Sequence, residues 1–96
     1  MAYVHVTFTK GQTLERYQQI SDLVGELGPE QGNLAHLVGA DDQGLHVVDI
    51  WESKAHADRF AAEQLFPAFA AAGMTPAEMG NTEIRDFEAA VSSVAI

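Results

Sequence analysis

The sequence contains no cysteine among its 96 residues. This absence excludes disulfide bonds, a thiolate nucleophile and sulfur ligands for a metal ion. The histidines at positions 5, 46 and 56 show no spacing typical of converging metal ligands. A Gly-rich phosphate loop, the G-x-S-x-G motif and nucleotide-binding signatures are also missing. We therefore expect a protein that uses no metal, flavin or haem.

Basic residues are few, with 5 Lys and Arg against 14 Asp and Glu, so the formal net charge is −9. Such a balance opposes binding to nucleic acid or to an anionic membrane, since both ligands attract basic surfaces. No hydrophobic run is long enough to span a bilayer. The N-terminal segment MAYVHVTFTK lacks the basic stretch and apolar core of a signal peptide. These features predict a cytoplasmic protein that binds neither nucleic acid nor membranes.

Hydrophobic residues make up 47% of the chain, which is typical of a folded globule. The length predicts a single domain over residues 1–96. A domain of this size buries only about two-thirds of the surface of its unfolded chain. We therefore expect a homodimer, which would bury more.

Hydrophobic periodicity predicts four strands and two long helices. The segments YVHVTFT, LAHLVGA, LHVVDIW and NTEIRDFEAAV have the composition of strands, and DDQG joins the middle two in a hairpin. A helical stripe runs from Leu14 to Leu27 after the capping residue Thr13, and Ser53 caps a second helix in KAHADRFAAEQLF. Pro67 is expected to kink or restart that helix, and Thr75 caps a short helical turn in TPAEMG.

The resulting order, βαββαβ, predicts an α+β fold of the ferredoxin-like type, with a four-stranded antiparallel sheet and helices on one face. The other face needs a cover, and a second copy of the chain is the simplest one. We expect His5, Thr7, Val48 and Ile50 on that uncovered face. The apolar tail AAVSSVAI is expected to add to the same interface.

The segment GLHVVDIWESKAHADRFAAEQLFPAF resembles the third strand and second helix of the antibiotic biosynthesis monooxygenase-like family. The resemblance implies a dimeric α/β barrel with a pocket between sheet and helices in each subunit. Some members of the family oxidise polyketide-derived phenols without metal or flavin, while relatives with this barrel include cyclases, isomerases and haem-binding proteins.

Two positions depart from the pattern of the cofactor-free oxygenases. Those members carry an Asn four positions before the strand Trp, and many carry a His nine positions after it. In this sequence the strand Trp is Trp51. Val47 occupies the position of the Asn, and Phe60 occupies the position of the His. Both changes replace a polar side chain by an apolar one. The resemblance implies that these three residues line the substrate pocket.

Asp49 lies within a strand that is otherwise apolar. An ionised carboxylate is costly to bury without a partner, so Asp49 is expected to be paired or to reach water. Two registers of the hairpin are open. A four-residue loop with Ala40 opposite Leu45 puts His36 opposite Asp49, whereas a type I turn with a left-handed Gly44 shifts the strands by one residue.

We take His36 and Asp49 as candidate catalytic residues, because a carboxylate that holds an imidazole is half of a general-base arrangement. Tyr17 lies on the buried stripe of the first helix, where its hydroxyl would still need a partner. Arg85 is a candidate either to close the pocket over an anionic or phenolic substrate or to form a surface ion pair.

Two functions are compatible with these residues. One is a small cofactor-independent enzyme that abstracts a proton from an apolar aromatic or polyketide-like molecule and thereby promotes oxygenation or cyclisation. The alternative is a non-catalytic dimer that binds a small molecule or serves as an accessory subunit. A cavity of a few hundred Å³ lined by both His36 and Asp49 would favour the enzyme.

Overall fold

The structure is a computed structural model that describes residues 2–90. Within this range the chain forms four β-strands, four α-helices and one π-helical turn. In chain order they are β1 (Tyr3–Lys10), α1 (Leu14–Glu26), β2 (Asn33–Ala40), β3 (Gly44–Trp51), α2 (Lys54–Phe60), the π-helical turn (Ala61–Leu65), α3 (Phe66–Ala71), α4 (Pro76–Gly80) and β4 (Thr82–Glu88).

The four strands form one antiparallel sheet in the order β2-β3-β1-β4. The helices pack on one face of this sheet, so the predicted ferredoxin-like α+β fold is confirmed. The other face is uncovered in the single chain. No helix within residues 2–90 has the length and apolar character needed to cross a membrane. The end of the predicted last strand at Val91, and most of the apolar tail, fall outside the described residues.

The predicted helix caps at Thr13, Ser53 and Thr75 are present. Each side-chain oxygen accepts a hydrogen bond from the backbone N–H three residues later, at 3.1–3.3 Å. These bonds satisfy N–H groups that have no partner within their own helix. The caps therefore set where α1, α2 and α4 begin.

The second long helix is interrupted, as Pro67 predicts. It widens into the π-helical turn, and Pro67 lies in the first turn of α3, where its missing N–H is tolerated. The buried side chain of Gln64 projects from the π-helical turn and donates a hydrogen bond to the carbonyl oxygen of Gly28 at 2.9 Å. Turns of this kind occur often at functional sites. This one lies beside the cavity described below.

The β2–β3 hairpin adopts the register in which Ala40 lies opposite Leu45 and His36 opposite Asp49. The alternative register, with a left-handed Gly44, is wrong because Gly44 is extended, with a φ of 159°. The Asp41 carboxylate shapes the turn by accepting hydrogen bonds from the N–H groups of Gln43 and Gly44, at 2.9 and 3.1 Å.

The two faces of β1 are the reverse of what we expected. His5 lies opposite Asp49 and Thr7 opposite Val47, so both belong to the face that the helices cover. The apolar side chains of β1 point to the uncovered face instead, where they lie with Val48 and Ile50. The polar side of β1 faces inward because it forms part of a cavity floor, rather than a close-packed core.

The hydrophobic core is small and lies beside that cavity. Ile20 and Val24 of α1 pack against Ala68 of α3, and all three are buried. Trp51 is 2% exposed and contacts Phe60, with ring centroids 4.9 Å apart. The helices thus pack closely against only part of the covered face. The remaining strand residues on that face line a cavity.

Substituting Gly44 tests the close approach of β1 and β3. A Cβ at position 44 would lie 2.3 Å from the carbonyl oxygen of Thr9, whereas a Cβ at Gly39 would meet nothing within 4 Å. We expect Gly44→Ala to lower the free energy of unfolding by about 1–3 kcal/mol, as overpacking does. Gly39→Ala, the matched control, should be neutral within about 0.5 kcal/mol. Urea unfolding measures both, and equal stabilities would contradict the close approach of β1 and β3.

Candidate functional site

A cavity of about 340 Å³ lies between the covered face of the sheet and the helices. Its floor is formed by alternate residues of the strands, many of them polar, and its walls are formed mainly by apolar residues of the helices. The floor includes His5, Thr7, Thr9, His36, Leu45, Val47, Asp49, Thr82 and Ile84. The walls include Tyr17, Ile20, Ser21, Val24, Phe60, Ala61, Leu65, Phe66, Phe69, Met74 and Met79.

Three polar side chains are connected in a line along one side of this cavity. His36 Nδ1 lies 2.5 Å from Asp49 Oδ1. The other ring nitrogen, Nε2, is hydrogen-bonded to the Tyr17 hydroxyl. The line therefore joins α1 to β2 and β3, and it brings together three residues that the sequence analysis selected.

The chemistry of the partners sets the direction of these hydrogen bonds. An ionised carboxylate can only accept, so the neutral His36 ring carries its proton on Nδ1 and donates it to Asp49. Nε2 then holds a lone pair, which accepts the Tyr17 O–H. Asp49 thus holds the ring and its tautomer, while the basic nitrogen points away from the carboxylate. This is the orientation that a general base needs.

Asp49 is paired rather than isolated, which explains a carboxylate in an apolar strand. Its side chain is 13% exposed and binds His36, and Asn33 Nδ2 donates to the same carboxylate oxygen at 3.4 Å. Asn33 also donates to the backbone carbonyls of Ala35 and Ile50, at 3.3 and 3.4 Å, beside the bulge in β2. The bulge therefore supplies a second donor for the buried charge.

Burial perturbs two further groups at this end of the cavity. It raises the pKa of the Tyr17 phenol, and the Asp49 charge adds to the shift although a hydrogen bond with Ser21 opposes it. Burial also raises the pKa of the Glu30 carboxyl. The Asp49 charge raises this pKa further, whereas His36 lowers it in part. Tyr17 is thus kept in its neutral, donating form next to His36.

The remaining predicted site residues divide between the cavity and other places. Val47 and Phe60 line the cavity. Trp51 does not belong to its lining but packs behind Phe60 in the core. Arg85 lies opposite Val6, on the uncovered face, so it neither covers the cavity nor reaches Asp49. The register of β4 with β1 decides the face of Arg85, and the sequence does not give that register.

The polar residues of the site that were not selected from the sequence include His5, Asn33 and Glu30. His5 could have been found from the alternation of β1, had the polar side of that strand been assigned to the cavity. Glu30 comes from the loop before β2 and Asn33 from the bulge at the start of β2, where no periodic pattern points to a face. Within residues 2–90, no three acidic or histidine side chains converge to hold a metal ion.

The raised pKa of Glu30 predicts a pH-dependent cost to stability. The folded state binds the Glu30 proton more tightly than the unfolded state, so stability is lost as the pH rises from the ordinary value of 4.5 through the raised one. Glu30→Gln should therefore stabilise the protein at pH 7 and have little effect at pH 3.5. Urea unfolding at both pH values tests this, with Glu63→Gln, at a residue outside the lining of this cavity, as the control for net charge. An equal gain for both variants would contradict it.

No protein-family profile matches this sequence, and no curated protein matches it by sequence. Solved structures do match the fold. SnoaB, a cofactor-independent oxygenase from Streptomyces nogalater, superimposes with a TM-score of 0.63 at 14% identity, covering 95% of this chain and 94% of the other.

Two further matches are candidate antibiotic biosynthesis monooxygenases. The protein from Chloroflexus aurantiacus has a TM-score of 0.64 at 14% identity, with 98% of each chain covered. The protein from Caulobacter crescentus has a TM-score of 0.65 at 17% identity, covering 94% of this chain and 91% of the other. The chain therefore shares, along nearly its whole length, the fold of solved structures of the antibiotic biosynthesis monooxygenase type.

Proposed function

We propose that this protein is a small enzyme that abstracts a proton from an apolar aromatic or polyketide-like molecule without a metal or flavin. The observation that carries the proposal is the hydrogen-bonded line of Tyr17, His36 and Asp49 along one side of a 340 Å³ cavity. The fold shared with a cofactor-independent oxygenase supports the same class of chemistry.

The proton would leave the substrate through Tyr17. The Tyr17 oxygen accepts a hydrogen bond from an acidic O–H or C–H of the substrate, while its own proton passes to His36 Nε2. The electron pair of the broken bond stays on the substrate as a phenolate or enolate. His36 becomes an imidazolium, and the adjacent Asp49 charge stabilises it. A nearby carboxylate thus supports the base without taking the proton itself.

The lining of the cavity limits the substrate class. Apolar side chains dominate the helical walls, and no Lys or Arg of the described residues lines the cavity. A substrate with ionised groups would find no compensating cation there, whereas a fused-ring phenol or ketone would be desolvated at little cost. The anion formed in the cavity could then react with dioxygen or close a ring by attack on its own carbonyl group.

Anthrone, a fused-ring ketone with an enolisable C–H₂ group, is a suitable probe for the proton-transfer step. In D₂O under nitrogen, we expect the wild type to catalyse exchange of the C10 hydrogens. Asp49→Asn, His36→Gln and Tyr17→Phe should each lower the exchange rate by about 100-fold or more, the usual contribution of a general base. His46→Gln, which alters an exposed imidazole on the uncovered face, is the matched control and should retain the rate.

Each result has a distinct meaning. Under air, conversion of anthrone and one dioxygen to anthraquinone and one water would identify oxygenation. Exchange without oxygen uptake would favour cyclisation or isomerisation of the natural substrate. A wild-type protein that binds anthrone and exchanges no hydrogen would contradict the enzyme and favour the accessory, ligand-binding dimer.

We also propose that the uncovered face of the sheet pairs with the same face of a second copy. Val4, Val6 and Val48 share this face with Leu37 and Phe87, which are 61% and 53% exposed in the single chain. Contiguous apolar patches of this kind mark interfaces. A two-fold arrangement would bring each patch against its own copy, and self-complementary pairing of this type is the commonest form of oligomer.

Light scattering at micromolar concentration tests the dimer. We expect a mass of about twice 10.4 kDa for the wild type. Leu37→Glu should yield a monomer, because it places a charge within the paired apolar faces. Phe66→Glu, at a residue that is 59% exposed on the helical side, is the matched control and should remain dimeric. A wild-type monomer would contradict the proposal.

A further inference from the structure

A row of four ionisable side chains crosses the whole sheet beneath the cavity. His36 of β2 lies opposite Asp49 of β3, Asp49 lies opposite His5 of β1, and His5 lies opposite Asp86 of β4. Directly opposed residues of an antiparallel sheet have side chains on the same face. Imidazole and carboxylate groups therefore alternate from one edge of the sheet to the other.

The His5–Asp86 end of the row repeats the spacing of the His36–Asp49 end. His5 Nδ1 lies 2.5 Å from Asp86 Oδ1, the same separation as between His36 Nδ1 and Asp49 Oδ1. The carboxylate again lies beside Nδ1, so Nε2 is the ring nitrogen left to bind a ligand. His5 lines the cavity and its side chain is 29% exposed.

The two histidines differ in what occupies Nε2. In His36 this atom accepts the Tyr17 hydroxyl. For His5, no residue within 2–90 forms a hydrogen bond with Nε2. The cavity thus contains a second carboxylate-held imidazole, whose outer nitrogen has no protein partner in this part of the chain.

The negative charge that the proposed reaction forms in the cavity gives Nε2 of His5 a possible role. The proposed reaction leaves a negative charge on a substrate oxygen, and such a charge needs a positioned donor. Neither Lys nor Arg lines the cavity, so among the described lining residues only His5 and His36 can become cationic. His36 is engaged in removing the proton. His5 is the group that remains to donate to the oxygen.

We propose that His5, positioned by Asp86, is a further catalytic residue, which donates its Nε2–H to the substrate oxygen that gains charge when the Tyr17–His36–Asp49 line removes a proton. This assignment rests on the proposed function. In its protonated form His5 donates from both nitrogens, to Asp86 and to the substrate. No covalent bond forms between His5 and the substrate. The Nε2 proton of His5 either stays on the ring or moves to the substrate oxygen, which then becomes the hydroxyl of an enol.

The titratable groups that face His5 come from three directions. Asp49 and Asp86 flank it on the neighbouring strands. Tyr3 belongs to β1, the strand of His5, and lies near Asp86. Burial and the Asp86 carboxylate raise the pKa of the Tyr3 phenol. Across the cavity are Tyr17 and Glu30. Helices α2, α3 and α4 present only uncharged side chains to the cavity.

The rate of anthrone exchange tests the role of His5. His5→Gln should lower the maximum rate by about 10- to 100-fold, because the developing charge on the substrate oxygen loses its positioned donor. His46→Gln, the control imidazole on the uncovered face, should keep the wild-type rate.

A second measurement keeps the assignment testable if anthrone is not turned over. Long-range ¹H–¹⁵N spectra report the tautomer and the Nε2 environment of each imidazole. Adding 2-naphthol should shift the His5 Nε2 signal and leave that of His46 unchanged. Asp86→Asn should weaken the Nδ1–H preference of His5, as expected of a positioning residue.

The outcomes distinguish this inference from the function on which it rests. If the wild type exchanges anthrone and His5→Gln does so at the rate of His46→Gln, the His5 assignment is overturned while the base remains. If the wild type exchanges nothing, the proposed function fails. The His5 donor then stands only if 2-naphthol shifts its Nε2 signal, and an unchanged signal rejects it.

Discussion

The pairing of β2 with β3 is the constraint on which the site depends. Because side chains alternate along a strand, a shift of one residue would move His36 to the uncovered face and leave Asp49 in the cavity without its imidazole. The Asp41 carboxylate holds the turn in the observed register, and Gly44 allows the start of β3 to approach the Thr9 carbonyl. A tight turn thus determines the chemistry at the other end of the hairpin.

Polar and apolar surfaces are divided in an unusual way around this cavity. In many half-covered sheets the inner face is apolar and packs directly against helices. Here the inner face carries a row of imidazole and carboxylate groups, and apolar side chains of the helices lie over it. The π-helical turn contributes, since Ala61 and Leu65 of that turn face the cavity. Asp49 is the most buried member of the row, with a side chain that is 13% exposed, whereas the other three are 29–36% exposed, so solvent screening is weakest at Asp49.

Much of the fold could be predicted from sequence. Alternation and the Gly and Pro breaks identified all four strands, the caps marked the starts of three helices, and Pro67 marked the interruption of the second long helix. These features depend on local interactions, which a single sequence displays. His36, Asp49 and Tyr17 were also selected, because polar side chains in apolar patterns need partners.

What could not be predicted depends on contacts between distant segments. The turn DDQG fits two registers of the hairpin. The observed one brings Gly44 close to the carbonyl oxygen of Thr9, which belongs to another strand. The face of β1 was reversed because Val4, Val6 and Phe8 resemble a core-facing pattern, yet β1 pairs with β3 so that His5 faces the cavity. The two roles considered for Arg85 stayed open for the same reason, since its face follows from pairing with Val6.

The central claim is that Asp49 holds His36 with its proton on Nδ1 and its basic Nε2 toward Tyr17. Long-range ¹H–¹⁵N NMR of the wild type and of Tyr17→Phe tests it most directly at a pH where His36 is neutral. The account predicts the Nδ1–H tautomer in both proteins, with the Nε2 signal moving only when the Tyr17 hydroxyl is removed. An Nε2–H tautomer in the wild type, or an Nε2 signal unaffected by Tyr17→Phe, would contradict it.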